Sequence, residues 1–450
     1  MPAPKSLHWR VFQLAWPVIT ENLLQTMLGI VDTIMVGRLG ADALAGVGTA
    51  QQYLFFLISI LSAVSIGSAI LAAHAIGARD HATASRVAKQ SIVWGVTLAI
   101  PLAVLGVIFS TALMHLLGVT EAVARIGGGY LSITMIASVV LVIPFTAGAV
   151  LRGAGDTRTP LIATTCANLV NLPVAFGLIF GALGMPALGA NGSAWGAVAG
   201  RLVSCVILLV ALWRGRVDVT IRGRHGWLPE GNLARRVVGL GAPAAVEQIA
   251  ISAGFTLLTG VVAHLGTDAL AAQRIVGNAL GLSLLPGFGF GIAATALVGQ
   301  SIGATTPDEG ERAAYIATQG ALIWMTALGV IFVALRFPLA TAFTSDTGVV
   351  QIAADSLIPL AIVQPLWAIE FVLAGALRGA GNTRFPLFMS VLEIWGTILL
   401  GIAIVGPLHL GLPQVWAGFL LFAPFTAYLT WWRFRRGDWK RAALGLGLAG

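Results

Sequence analysis

Charged residues in this chain fall in short clusters separated by long apolar runs, and that spacing constrains the fold more than any other feature. A helix that crosses the hydrocarbon core of a bilayer needs roughly 20 apolar residues, because each residue rises only about 1.5 Å. Of the 450 residues, 10% are charged and 57% hydrophobic, which excludes a water-soluble domain, where about a quarter of residues carry charge. The runs lie near 12–37, 48–76, 87–117, 123–151, 160–184 and 190–213, and then near 236–264, 272–303, 312–343, 348–377, 386–408 and 412–434. They are continuous and lack the alternation of barrel strands, so twelve transmembrane helices are predicted.

Orientation follows from the basic residues, because cytoplasmic loops retain Lys and Arg during insertion. The two termini and the loops after even-numbered spans hold 21 of the 26 Lys and Arg. Arg38, Arg125, Arg274 and Arg336 lie on the opposite side, and Arg201 lies inside a span. The expectation is a multi-pass inner-membrane protein with both termini in the cytoplasm. The run that follows Lys5 and Arg10 reads as a first span rather than a cleaved signal. The net charge of +8 gathers at helix ends, which favours membrane lipids as partners and not nucleic acid. Cys166 and Cys205 lie in separate runs and the histidines are scattered, so no disulfide, metal site or cofactor is expected.

The chain repeats itself. Pro17 and Glu21 recur as Pro243 and Glu247, an offset of 243 − 17 = 226 residues. At the same offset Leu39-Gly40 and Asp42-Ala43-Leu44-Ala45 recur as Leu265-Gly266 and Asp268-Ala269-Leu270-Ala271. Leu151-Arg152-Gly153-Ala154-Gly155 returns as Leu377-Arg378-Gly379-Ala380-Gly381. One ungapped spacing over so many matches is the mark of duplication. The predicted domains are an N-terminal six-helix lobe (1–213), a polar cytoplasmic linker (214–235) and a C-terminal six-helix lobe (236–450). Six spans is an even number, so both lobes enter from one side and are predicted to be related by a pseudo-two-fold axis along the membrane normal. The fold class is all-α integral membrane, and two lobes around a cleft give alternating access a mechanical basis.

Acids inside spans are costly and therefore informative, at about 2.5–3.5 kcal/mol each on insertion scales. Asp32 sits in Gly-Ile-Val-Asp-Thr-Ile-Met-Val-Gly, with no basic residue within one turn. Such a group can bind a proton or a sodium ion on one side of a membrane and release it on the other. A purely structural acid that holds helices together is the alternative. Glu21 and Glu247 follow Pro17 and Pro243 by one turn, and their duplication leaves ion coupling and a fixture of each lobe equally open. Glu370 lies between Trp367 and Phe371, an acid beside rings that suits an organic cation, although aromatics in spans more often serve packing. Glu393 either faces the cleft or neutralises Arg201. Asn168 and Asn171 share a helix face and offer oxygen ligands or a hold on Asp32. The Leu-Arg-Gly-Ala-Gly stretches lack the Gly-Lys-Ser/Thr of a nucleotide loop and read as tight cytoplasmic turns, which argues against ATP-driven transport by this chain alone.

Together, Glu21-Asn22-Leu23-Leu24, Val31-Asp32-Thr33-Ile34-Met35-Val36-Gly37, the Gly-Ala-Asp-Ala-Leu-Ala that follows and the paired Leu-Arg-Gly-Ala-Gly stretches resemble the multidrug and toxic compound extrusion (MATE) family, in particular its DinF-like branch. The resemblance covers essentially the whole chain. It implies a two-lobed antiporter, not an enzyme, that exports cationic or amphiphilic small organic molecules in exchange for protons or sodium ions. It also implies ion coupling at Asp32, with Asn171 on a nearby fifth-helix asparagine. Ala175 and Ala197 stand where some relatives carry an aspartate and a threonine, and Ile251 and Trp367 replace second-lobe acids. With these oxygens missing, the coupling ion is expected to be a proton, sodium remaining the second choice. A monomer is the expected state. The alternative function is a flippase for a lipid-linked precursor, which requires a strongly cationic cavity, and Arg201 is the one mid-span candidate for it. A membrane-embedded enzyme would need a clustered nucleophile, base or metal, and the sequence offers none.

Overall fold

The computed structural model describes residues 6–440; the expectations for the two termini, which include Lys5 and Arg441, lie outside the described residues. The first repeat forms α1 (Leu7–Gly37), α2 (Ala41–Gly77), α3 (His81–Ile108), α4 (Ser110–Leu116), α5 (Glu121–Ile136), α6 (Ser138–Gly153), α7 (Arg158–Phe180) and α8 (Ala190–Trp213). The second forms α9 (Gly231–Ala263), α10 (Thr267–Gly303), α11 (Pro307–Ala334), α12 (Arg336–Thr341), α13 (Thr347–Gly379), α14 (Arg384–Val405), α15 (Leu412–Ala417) and α16 (Phe419–Arg436). Among the described residues ten helical segments are long and apolar enough to cross a membrane, with α15 and α16 counted as one, and the bent pair α5–α6 makes an eleventh. The 31-residue α1 is long enough to be the twelfth, its apolar character diluted by Glu21, Asn22, Gln25 and Asp32. Side chains such as Leu169 (67% exposed) and Leu399 (69% exposed) face outward, as a surface bathed in lipid requires.

Breaks in the helices follow the repeat in one place and depart from it in another. The expected single runs 87–117 and 312–343 each divide, at Phe109 and Leu335, again 335 − 109 = 226 residues apart. The fourth spans differ: α5 and α6 are bent by 53° at Ala137, whereas α13 runs unbroken for 33 residues. Pro144 lies 144 − 137 = 7 residues, about two turns, beyond the bend, and α13 stays unbroken although it holds Pro359 and Pro365, so proline alone does not account for the difference.

The repeated Leu-Arg-Gly-Ala-Gly stretch is more than a turn. Its first glycine, Gly153 or Gly379, ends a helix where a Cβ would land on backbone, that of Ala69 in α2 or Thr295 in α10. Its second, Gly155 or Gly381, has φ of 95° or 85°, a left-handed conformation that glycine adopts without strain. Helix crossing and chain reversal therefore share five residues. After the first copy, Asp156 accepts from the Thr159 amide at 3.0 Å and caps the start of α7.

The chain divides into two compact units, one formed by Met1–Ile19 with Val246–Gly450 and the other by Thr20–Ala245. These boundaries cut through α1 and α9 beside Pro17 and Pro243 instead of following the linker at 214–235. Two helix crossings account for it. In the first unit Ala15 of α1 lies against Gly289 of α10; in the second Gly241 of α9 lies against Ala63 of α2. Those positions correspond pairwise, since 241 − 15 and 289 − 63 both equal 226. Each small residue admits close backbone approach, and each repeat thus lends the start of its first helix to the core built by the other.

Within the second unit the linker is not loose. Buried Lys89 of α3 donates from Nζ to the carbonyls of Arg222 (2.8 Å), Gly223 (3.3 Å) and His225 (2.7 Å), and Gln90 Nε2 donates to those of Gly226 (2.8 Å) and Leu228 (2.6 Å). The sequence placed Lys89 just inside the third span; its use is to fasten the linker. Charged donors contribute about 1.5–3 kcal/mol each, so Lys89→Met is expected to free this segment. Limited trypsin digestion should then cut after Arg222 and Arg224 at least several-fold faster than in the parent protein.

Candidate functional site

Asp32 lies half-buried in the lower half of α1, and the second unit surrounds it with polar groups from three other helices. Ser193 at the start of α8 donates to Asp32 Oδ1 at 2.6 Å. Two turns further along α8, Arg201 interacts electrostatically with Asp32 and with Tyr130 of α5. Tyr130, buried beside them, interacts electrostatically with both Asp32 and Arg201, and Ser193 and Gln51 of α2 are among its polar neighbours. One buried nitrogen of Arg201, Nη1, has no hydrogen-bond partner among the described residues.

Sequence spacing found Asp32 but not its company. Arg201 is 169 positions away (201 − 32), and only the packing of α8 makes it the counter-charge of Asp32. Within the second unit the acid that acts on Arg201 is Asp32. Asn168 does not hold Asp32: it donates to the Leu24 carbonyl at 3.0 Å and ties α7 to α1 one turn below Glu21. Asn171 is buried against α8, its Cβ close to Gly200, and among the described residues no hydrogen bond joins it to Asp32.

Glu21 and Glu247 are engaged in matching clusters. Arg152 Nη1 donates to Glu21 Oε2 at 3.2 Å and Thr164 Oγ1 to Glu21 Oε1 at 3.1 Å. Arg378 Nη2 donates to Glu247 Oε1 at 2.6 Å and Ser390 Oγ to the same oxygen at 2.7 Å. Separations in sequence are identical in the two copies, 131 residues to the arginine and 143 to the hydroxyl. Each cluster joins the first, fourth and fifth spans of its repeat, and the arginine of the Leu-Arg-Gly-Ala-Gly motif is its cation.

The remaining acids sit deep in the first unit. Glu370 and Glu393 are 4% and 5% exposed, and the Trp367 indole donates to Glu393 Oε1 at 2.5 Å. Trp367 meets Phe419 edge-on with centroids 5.4 Å apart and packs near Phe371 at 6.3 Å. Of the two readings of these aromatics, a cation site or packing, the geometry is that of packing: the rings contact each other and Glu393 accepts from Trp367 within the core. Trp367, like the two acids, is buried. Thr426, which the sequence gave no reason to single out, bridges Glu370 and Glu393 from α16.

Comparison with known proteins agrees with this architecture. The profile of the family MatE matches twice, over residues 17–176 and 243–403, which reproduces the internal repeat. A probable multidrug resistance protein NorM from Thermotoga maritima is 31% identical, the alignment covering 96% of this chain and 93% of that protein. The multidrug resistance protein PmpM of Pseudomonas aeruginosa is 26% identical over 85% of this chain and 80% of its own length. Among solved structures, a MATE protein crystallised with MaL6 superposes with a TM-score of 0.90 at 20% identity, covering 97% of each chain. A MOP superfamily transporter from Pyrococcus furiosus, described as having a binding pocket of reverse polarity, gives 0.88 at 20% identity, covering 96% of this chain and 97% of that one. With the family profile matched in both halves, the chain belongs to the MATE family of multi-pass membrane transporters.

Proposed function

We propose that this protein is a secondary active antiporter that exports cationic or amphiphilic organic compounds by alternating access, with protons as the coupling ion and Asp32 as the group that carries them. The observation that supports this most directly is the half-buried Asp32 joined to Ser193 and set against Arg201 in the second unit. The relatives are named as multidrug resistance proteins, which agrees with export of small organic molecules.

The surroundings of Asp32 favour a proton over sodium on physical grounds. A sodium ion wants several oxygens turned toward it, whereas Asp32 faces a hydroxyl hydrogen and a guanidinium that repels a second cation. Proton uptake neutralises Asp32 and leaves Arg201 without its counter-charge. The packing of α1 against α8 is then the two-state element that the proton biases. Glu21, with Arg152 and Thr164, serves as a fixture that positions α1, as Glu247 does for α9. Asn168 fastens α7 to α1 and thereby holds the acid in register. The flippase alternative requires uncompensated positive charge, and Arg201 is offset by Asp32.

The protein acts in this reading as a monomer in the inner membrane, with both termini cytoplasmic and two six-helix repeats, 1–213 and 236–450, joined by the 214–235 linker. The ion can be tested in everted vesicles by replacing sodium with choline at constant pH. Substrate/proton exchange should be unchanged within error. A drop of more than about ten-fold, the size of an ordinary linkage effect, would assign the coupling to sodium.

A further inference from the structure

The carboxyls of Glu370 and Glu393 meet at one hydroxyl, and the hydrogens available there do not suffice for two ionised acids. Thr426 Oγ1 is 2.8 Å from Glu370 Oε2 and 2.9 Å from Glu393 Oε2. A threonine hydroxyl has one hydrogen to donate and two lone pairs with which to accept, while an ionised carboxylate only accepts. One of the two short contacts can be a donation by Thr426; the other needs a hydrogen on the carboxyl. Both carboxyls are thus held against one hydroxyl, close enough to act on each other electrostatically. Among the described residues neither acid has an ion pair, and two bare carboxylates side by side in an apolar core repel strongly.

The groups around the pair fit a proton better than a metal ion. Trp367 occupies Glu393 Oε1 with an N–H, which turns that oxygen away from any shared cation. The charged group that acts on the pair from a neighbouring helix is Glu247 of α9, itself bound by Arg378, which lies on the same helix as Glu370. Glu247 Oε2 is buried and has no hydrogen-bond partner among the described residues, although Oε1 accepts from both Arg378 and Ser390. Two further buried hydroxyls, Thr397 and Thr430, have no hydrogen-bond partner among the described residues. Thr397 follows Glu393 by one turn of α14, and Thr430 follows Thr426 by one turn of α16, so each continues the helix face that carries the pair. Since α14 and α16 are successive spans, one hydroxyl extends the polar column in one direction and the other in the opposite direction.

We propose that Glu370 and Glu393, bridged by Thr426, form a second proton-binding site in the first unit, which holds one shared proton and is independent of Asp32. It goes beyond the proposed role of Asp32. The pair carries a single negative charge when occupied. Losing the shared proton breaks one of the two contacts at Thr426 and sets two like charges side by side, so release goes with separation of α13, α14 and α16. This gives the half of the transporter without a counterpart of Asp32 its own response to protons.

Infrared spectroscopy of the full-length protein in liposomes tests it in the Asp32→Asn background, where Asp32 cannot contribute. The expected spectrum at neutral pH contains the carbonyl stretch of one protonated carboxyl per chain. Adding Glu370→Gln and Glu393→Gln should remove that band, and Thr426→Val should shift it, because a hydrogen bond to the shared proton is lost. No such band in folded Asp32→Asn protein would overturn the proposal, a result that does not require the acid variants to fold. An equal band in the protein lacking both acids would overturn it too, and so would loss of the band on adding sodium at constant pH, which would identify a cation site. None of these results bears on Asp32, whose role is read from transport.

Discussion

Asp32→Asn is expected to reduce substrate/proton exchange in everted vesicles by roughly 100-fold, the scale of a coupling free energy of 2–3 kcal/mol, with little change in the amount of folded protein. Asparagine preserves the shape and still accepts from Ser193, whose 2.6 Å donation to Asp32 is the one direct bond at risk. What disappears is the change of charge beside Arg201. The variant resembles a permanently protonated Asp32, so both states of the cycle see the same electrostatics and an imposed proton gradient has nothing to act on. Substrate binding in the absence of a gradient should survive, which separates loss of coupling from loss of the pocket. Unchanged exchange in this variant would remove Asp32 from the mechanism.

The largest effect on stability should come from separating Glu247 and Arg378. Both side chains are mostly buried, at 5% and 23% exposure, and their contact of 2.6 Å is shorter than the 3.2 Å of the equivalent Arg152–Glu21 pair. Removing one member of a buried pair strands the other without solvation, at a cost of about 3–5 kcal/mol. Glu247→Ala or Arg378→Ala should therefore lower the midpoint of thermal unfolding in detergent by many degrees. Removing both, as Glu247→Leu with Arg378→Met, should recover most of the loss, because no orphan charge remains. The same pair of experiments on Glu21 and Arg152 should give the smaller effect. If the double variant is no better than the worse single one, the arginine matters chiefly to the Leu-Arg-Gly-Ala-Gly crossing and not to the glutamate.

Much of the architecture was legible because it is written in local or periodic signals. Apolar runs mark spans, and a constant offset marks a repeat, so Glu21 and Glu247 were recognisable as equivalents before any partner was known. The roles of those two acids were not legible, since Arg152 and Arg378 lie 131 positions beyond them and read as parts of a turn. Asp32 stood out by cost alone, an acid in an apolar stretch. Its counter-charge Arg201 and its donor Ser193 depend on which face of α8 packs inward, and hydropathy does not encode that in a helix apolar nearly all round. For the same reason Glu370 and Trp367 suggested a cation cage: neighbours on a helix are visible in sequence, but Thr426, which turns the site into a closed core, arrives from a different span. The bend at Ala137 was hidden because hydropathy continues across it without interruption.

The crossings of Ala15 with Gly289 and of Gly241 with Ala63 bear on how the protein is made. Synthesis proceeds from the N-terminus, and the unit built from Thr20–Ala245 lacks its last segment until the linker and the start of α9 have left the ribosome. The opening turns of α1, made first, must wait for α10 before they find their place. Neither repeat can be completed by itself, so a chain severed within the linker should yield fragments that mature only when both are inserted in the same membrane. An internal duplication of this kind ties the two copies into one inheritance: a change at Gly241 is felt by the helices of the first repeat, and a change at Ala15 by those of the second.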